Sequence, residues 1–209
     1  MEIVPDTISY LALGDSYSIG EGVTDEARWP MQLARALRAD GIAIADPRII
    51  AKTGWSTDEL AVAMDAVEPL GTWDVVSLLI GVNDQYRGYA VNDYRASFTA
   101  LLHRAIALAD AHPRQVFVLS IPDWGVTPFA QASGRDLHQI ADELDAYNAA
   151  AREICGAHGV AFVDITHVSR ELGAQPDMLV EDGLHPSAAM YAAWVQLAVP
   201  VAQELLTEK

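Results

Sequence analysis

The stretch ISYLALGDSYSIGEG, residues 8–22, decides how the rest of the chain is read. Ile8 to Leu13 is a short apolar run with the length and the β-branched and aromatic content of a buried strand. Gly14 then lets the backbone turn sharply, and Ser16 is left at the strand's carboxyl end. In an open α/β sheet that edge is where ligands bind. A serine there acts as a nucleophile only if a base sits beside it and hydrogen-bond donors face the oxygen that becomes charged. Those partners have to come from elsewhere in the chain.

Outward from this strand, apolar runs alternate with helical patterns. Trp29-Pro30 marks a helix start, with Pro30 in the first turn and Asp40-Gly41 as the stop. Arg48 to Lys52 reads as a second strand, followed by a Thr53-Gly54-Trp55-Ser56 loop and a helix to about Val67, capped by Ser56 or Thr57. Asp74 to Ile80 is almost wholly apolar, as a strand covered on both faces should be. It opens into Gly81-Val82-Asn83-Asp84, and a long helix follows from about Val91 to Ala111, lined by Tyr94, Phe98, Leu101 and Leu102. Gln115 to Ile121 is a fourth strand, and a loop rich in Pro, Gly and aromatics runs from Pro122 to Gly134. A helix from about Arg135 to His158 precedes a fifth strand, Val160 to Asp164. Pro186 begins a last helix, which Pro200 is expected to kink or divide. Such alternation calls for a parallel sheet with helices on both faces. The fold class is α/β, a three-layer α/β/α sandwich on a doubly wound parallel sheet of about five strands, in a single domain over residues 1–209.

Composition narrows the partners. The 209 residues are 51% hydrophobic and 20% charged, a globular balance. The net charge of −16 argues against nucleic acid, because no basic surface is available to displace phosphate counterions. It also disfavours anionic substrates and anionic membranes and leaves a neutral small molecule as the natural partner. No apolar run approaches the length of a membrane span. MEIVPDTISY has neither a basic n-region nor a long apolar h-region, so no signal peptide is read and a cytoplasmic location is expected. Cys155 is the one cysteine, which excludes an intrachain disulfide, and it reads as a small apolar residue on a buried helix face. Oligomeric state is not legible.

Four blocks fall at strand ends or just before the last helix: Gly14-Asp15-Ser16, Thr53-Gly54, Gly81-Val82-Asn83-Asp84 and Asp182-Gly183-Leu184-His185-Pro186. Each has an ordinary reading when taken alone, as a strand-to-loop turn or an Asx-type turn. Together, in this order, they resemble the SGNH hydrolases, the GDSL-type esterases and lipases, over nearly the whole chain from Gly14 to Pro186. Tyr17 stands where that family's name-giving motif has leucine, which bears on substrate preference and not on chemistry. The resemblance implies Ser16 as nucleophile, His185 as general base and Asp182 as its orienting acid. It also implies an oxyanion hole made by the backbone N–H groups of Ser16 and Gly54 and the side-chain amide of Asn83. Asp84 would be a structural carboxylate.

The chemistry asks for these residue types. A serine hydroxyl is a poor nucleophile until an imidazole takes its proton, and a carboxylate must hold that imidazole in one tautomer. Backbone N–H groups and an uncharged amide stabilise an oxyanion without lowering the base's strength. Asp182 and His185, three residues apart in a turn, can be placed by one local structure.

Tyr17, Ile19, Trp55, Tyr86, Trp124, Met178 and Leu184 adjoin these blocks, and of them Tyr17, Trp55, Tyr86, Trp124 and Leu184 are the expected substrate-binding residues. Trp29, Trp73 and Trp194 read as core. His103, His112, His138, His158 and His167 lie in or beside helices as solvated or capping residues. No convincing metal-ligand spacing and no nucleotide fingerprint occurs, so no metal and no cofactor is expected. The expected activity is hydrolysis of small neutral esters through an acyl-Ser16 intermediate. Thioesters, lysophospholipids and acetylated sugars would suit the same site, and the competing non-enzymatic reading is a flavodoxin-like binding module.

Overall fold

The computed structural model of the chain describes residues 7–207. Residues 1–6, part of the stretch read above for a leader, lie outside the described residues. In chain order the elements are β1 (Tyr10–Gly14), α1 (Ser16–Ile19), α2 (Trp29–Ala39), β2 (Arg48–Ala51), α3 (Thr57–Ala66), β3 (Val75–Leu79) and α4 (Val82–Tyr86). They continue with α5 (Val91–Leu108), β4 (Val116–Leu119), α6 (Pro128–Ser133), α7 (Leu137–His158), β5 (Ala161–Val163), α8 (Thr166–Leu172) and α9 (Ala188–Thr207).

The strands form one parallel five-stranded sheet in the order β2-β1-β3-β4-β5. From β1 the chain first steps outward to β2 and then crosses back to β3. Right-handed crossovers in opposite directions put their helices on opposite faces. Accordingly α2 packs with α9 in one layer, and α5 packs with both α3 and α7 in the other. β1 and β3 lie in the middle and are buried throughout. The polar residue inside β3, Ser77, pairs its hydroxyl with that of Tyr10 at 2.9 Å. The strand order reverses between β1 and β3, so a crevice opens at their carboxyl ends. Ser16 follows β1 there, and Asn83 follows β3.

Helix ends follow local chemistry. Ser56 caps α3 in a reciprocal box with Glu59, whose carboxylate accepts from the Ser56 N–H at 3.0 Å. The helix read to Ala111 stops at Leu108, because Asp110 and Ala111 take positive φ values of 53° and 62°. Asp136 caps α7, so Arg135 lies outside the helix. The last helix starts at Ala188 and not at Pro186, because the Ser187 hydroxyl accepts from Ala189 and Met190 while Pro186 bridges to Leu179. Pro200 does not divide α9. Apolar side chains buried on both sides of it, Trp194 and Ala198 before, Ala202 and Leu206 after, hold the two halves to the core.

Four helices were not legible as such, among them α8 (Thr166–Leu172), which follows β5 where no helix is read. α1 and α4 are single turns inside the motif blocks, and α6 lies in the segment from Pro122 to Gly134 that reads as loop. Trp29 and Trp194 are core as expected, Trp73 is half-buried, and Cys155 is a buried free thiol. Among the described residues no helix is long and apolar enough to cross a membrane.

Gly14 is the tightest point of this framework. A Cβ there would sit 2.2 Å from the Ser18 hydroxyl and 2.6 Å from the Leu79 carbonyl oxygen. The hydroxyl can rotate away, but the Ser18 Cβ at 2.7 Å cannot, and the Leu79 oxygen is backbone of the central strand. Gly14→Ala should therefore destabilise the protein by about 2–3 kcal/mol in chemical denaturation, as overpacking of a rigid site does. An unchanged denaturation midpoint would show that β1 and β3 can part without cost.

Candidate active site

Ser16 opens α1 and is nearly buried, 4% exposed. The turn is shaped by Asp15, whose Oδ1 accepts from the Tyr17 N–H at 3.0 Å. The other carboxylate oxygen of Asp15 is buried without a hydrogen-bond partner, as is the Ser18 hydroxyl. Burial, helped by the neighbouring Asp84 charge and opposed by the Tyr17 N–H, pushes the Asp15 carboxyl up to about 8. At neutral pH the carboxyl beside Ser16 is therefore mostly uncharged.

The histidine arrives from the segment before α9. Asp182 Oδ1 accepts from the backbone N–H groups of Leu184 and His185 at 2.8 and 2.9 Å, and its Oδ2 lies 2.6 Å from His185 Nδ1. The Val180 N–H donates to the His185 carbonyl at 2.9 Å and closes the turn. Burial tends to raise the Asp182 carboxyl, but the hydrogen bonds from His185 and Leu184 outweigh it and hold the group below the usual range. An ionised carboxylate only accepts, so Nδ1 carries the proton and a neutral His185 presents a lone pair on Nε2.

Across the crevice, the segment after β2 is gripped by α4. Asn83 Nδ2 donates to the Trp55 carbonyl at 2.9 Å, which leaves its second amide hydrogen free. Asp84, 1% exposed, accepts from the Thr57 N–H at 3.0 Å and the Thr57 hydroxyl at 2.5 Å. Gly54 lies at φ +87°, where an L side chain is strained although nothing stands within 4 Å of a Cβ placed there. Among the described residues, the backbone N–H groups of Ser16 and Gly54 donate to nothing.

These pieces meet in one cavity of about 240 Å³. Ser16, His185, Gly54 and Asn83 all line it, with Tyr17, Tyr86, Trp124 and Leu184 from the expected substrate-binding set. Trp55 does not. Its side chain packs against the core, and its contribution is the carbonyl that Asn83 holds. Ile19 and Met178 are likewise absent from the lining. Sequence reasoning missed Thr53, Val82 and Phe129. The first two sit inside motif blocks that were read for their neighbours, and Phe129 lies in the aromatic-rich segment from which Trp124 alone was chosen.

The cavity wall is held from behind. Trp124 Nε1 donates to Gln85 Oε1 at 2.9 Å, and the Arg135 guanidinium lies 5.2 Å from the Trp124 ring and 5.4 Å from that of Tyr86. No group of three or more His, Cys, Asp or Glu side chains that could hold a metal ion occurs among the described residues. His103 and His158, expected to be solvated or capping, pair with each other at 2.8 Å on the surface, and His158 Nδ1 meets the Ile154 carbonyl in the last turn of α7.

The GDSL-like lipase/acylhydrolase family model matches residues 12–193. The chain belongs to this family. It is a hydrolase acting on ester bonds. Solved structures share its fold at low sequence identity. A lipase/acylhydrolase from Enterococcus faecalis superposes with a TM-score of 0.74 at 20% identity, covering 97% of this chain and 99% of that one. The esterase EstA from a Pseudoalteromonas species, in a structure inhibited by monoethylphosphonate, gives 0.71 at 17% identity over 95% and 98% of the two chains. A variant of Axe2, an acetyl xylan esterase from Geobacillus stearothermophilus, gives 0.70 at 18% identity over 93% and 94%. No curated protein matches the chain by sequence.

Asp15 gives this member of the family a pH signature. Its folded value of about 8 lies above the unfolded one of about 3.9, so between them the folded state holds a proton that the unfolded state has lost. Its contribution to stability is fully present below the unfolded value and is lost as pH rises through the folded one. Asp15→Asn keeps the acceptor for Tyr17 and removes the titration. Its melting temperature should fall less between pH 5 and pH 8 than that of the unsubstituted protein. Parallel curves for the two proteins would mean that Asp15 is already ionised in the folded state.

Proposed function

We propose that the chain is a serine esterase for small neutral carboxylic esters, with Ser16 as nucleophile, His185 as general base and Asp182 as its orienting acid. The observation that carries this reading is the convergence on one cavity of Ser16, a His185 whose Nδ1 is tied to Asp182, and a set of uncommitted donors. His185 Nε2 accepts the Ser16 proton as Oγ bonds to the ester carbonyl carbon. The carbonyl oxygen takes the negative charge against the N–H groups of Ser16 and Gly54 and the free amide hydrogen of Asn83. Collapse breaks the bond to the alcohol oxygen, which leaves with the proton from His185. Water repeats the sequence on acyl-Ser16 and releases the acid. No step calls on a cofactor.

The lining favours an apolar acyl or alcohol group. Tyr17, Val82, Tyr86, Trp124, Phe129 and Leu184 surround the reacting groups, and the net charge of −16 opposes anionic substrates. At about 240 Å³ the cavity lies below the usual range of drug-sized pockets, which favours a small ester. Acetylated sugars, the kind of ester for which Axe2 is named, share the chemistry and enter as one arm of the substrate panel.

Two sets of measurements test the reading. Ser16→Ala and His185→Ala should each lower kcat by roughly 10⁴- to 10⁶-fold, and combining them should cost little more, because they act as one unit. A fluorophosphonate should label Ser16 and no other residue. An unlabelled protein whose single variants lose nothing would be a binding module. Exhaustive chelation should leave turnover unchanged, and an activity that returned only with a divalent metal would overturn the serine mechanism.

Asn83→Ala should lower kcat by roughly 10²- to 10³-fold with KM nearly unchanged, since the amide's bond strengthens as charge develops. It should also cost about 1 kcal/mol of stability through the lost bond to Trp55. A lowered melting temperature with normal kcat would leave Asn83 as a clamp and remove it from the oxyanion hole.

A further inference from the structure

Arg87 lines no part of the cavity, yet it is bonded to Gly54, which does. It closes α4 one turn after Asn83, so its side chain projects over the same segment. Nη2 donates to the Gly54 carbonyl at 2.7 Å. Nη1 donates to the Ser56 hydroxyl at 3.1 Å and pairs with Glu59 Oε2 at 2.9 Å. That same Glu59 oxygen accepts from the Ser56 N–H at 3.0 Å and the Ser56 hydroxyl at 2.9 Å. One planar guanidinium thus ties the residue before Trp55 to the N-cap of α3, a geometry that a single ammonium cannot reproduce.

The Gly54 segment needs such a tie. No side chain packs where a Gly54 Cβ would be, so packing does not fix the glycine, and its φ of +87° lies in a region from which glycine moves easily. The carbonyls of Gly54 and Trp55 are held from α4, by Arg87 and Asn83 respectively. On the other side, the Trp55 N–H donates to the Lys52 carbonyl at 3.2 Å. Without Arg87 the Gly54 carbonyl loses its partner and the peptide unit between Gly54 and Trp55 is held only through the Trp55 N–H, which gives Gly54 more freedom to turn.

We propose that Arg87 is a positioning residue for ester hydrolysis: by binding the Gly54 carbonyl it keeps the Gly54 N–H aimed at the developing oxyanion. The inference rests on the serine-esterase reading, in which that N–H is an oxyanion donor. Because the donor matters only as charge develops, misplacing it affects kcat and leaves substrate binding nearly alone.

The test compares Arg87→Ala, Arg87→Lys and Arg87→Gln with Asn83→Ala, using one small ester and following kcat, KM and melting temperature for each. Arg87→Ala is expected to lower kcat by roughly 10- to 100-fold with KM within about threefold of its original value. Arg87→Lys, whose ammonium can reach the Gly54 carbonyl with one donor, should recover part of the loss, and Arg87→Gln, whose amide is too short to reach it, should not. Guanidinium at concentrations far below denaturing should restore turnover to the Ala variant and do nothing for Asn83→Ala. A residue that only stabilised the fold would lower the melting temperature and leave kcat alone. If Arg87→Ala does not fold, Arg87→Gln and Arg87→Lys carry the same comparison. Normal kcat across the Arg87 variants, with Asn83→Ala impaired, overturns this inference and spares the reading beneath it. Normal kcat in both, with Ser16→Ala dead, overturns the oxyanion hole and the inference together.

Discussion

A buried carboxylate holds together the two segments that bring Gly54 and Asn83 to the cavity. Asp84 reaches from α4 to the first residue of α3 and accepts both the N–H and the hydroxyl of Thr57. Burial raises its carboxyl, and the bonds from Thr57 pull in the opposite direction. An ionised group in such a place is tolerable only while those bonds are made, since an uncompensated buried charge costs several kcal/mol. The cost makes the contact specific. α3 and α4 follow different strands, on opposite sides of β1 in the sheet order. The Asp84–Thr57 contact fixes the register between them, and the short segment from Gly54 to Ser56 inherits its place from both ends.

The serine side is built by crowding and not by charge. Gly14 lets β1 run against Leu79 with no side chain between, and the turn that follows buries Asp15 behind Ser16. β1 and β3 therefore end side by side, and the residues that follow them face one crevice. A bulkier residue at position 14 would push Ser16 and Asn83 apart while leaving both side chains intact. The separation is physical: backbone packing sets where Ser16 stands, and a polar network sets where Gly54 and Asn83 stand.

The sheet was legible because central parallel strands are apolar on both faces, so β1 and β3 stand out as short unbroken runs bounded by glycine. The helices around them announced themselves by period and caps, as at Trp29-Pro30 and Ser56. What escaped was short. α1, α4, α6 and α8 carry too few turns to show a period, and their stability comes from tertiary contacts and not from propensity. The four motif blocks were legible as residues, but their contacts were not. Nothing in the string of letters shows that Asn83 spends one amide hydrogen on Trp55, or that Trp55 turns its ring to the core while its carbonyl anchors Asn83. Phe129 escaped for a related reason, since its place on the cavity wall depends on α6 folding back toward Trp124, at 6.1 Å between ring centres.

Asp15, Asp84 and Asp182 all belong to the motif blocks, and their surroundings treat their carboxyl groups differently. Asp15 and Asp84 are almost wholly buried and both are shifted toward the neutral form, with Asp15 reaching about 8. Asp182 is shifted the other way by donors from Leu184 and His185, and its side chain keeps 43% of its surface. Only a carboxylate that stays charged at neutral pH can stabilise an imidazolium beside it. Asp15, although next to Ser16 in sequence, is the wrong candidate on these grounds, and its neutrality has a second consequence. In the proposed mechanism an ionised Asp15 would place a negative charge one residue from the Ser16 N–H and would oppose the charge developing on the ester oxygen. Burial thus pushes the Asp15 carboxyl up while hydrogen bonds from His185 and Leu184 hold that of Asp182 down, moving groups of one residue type in opposite directions.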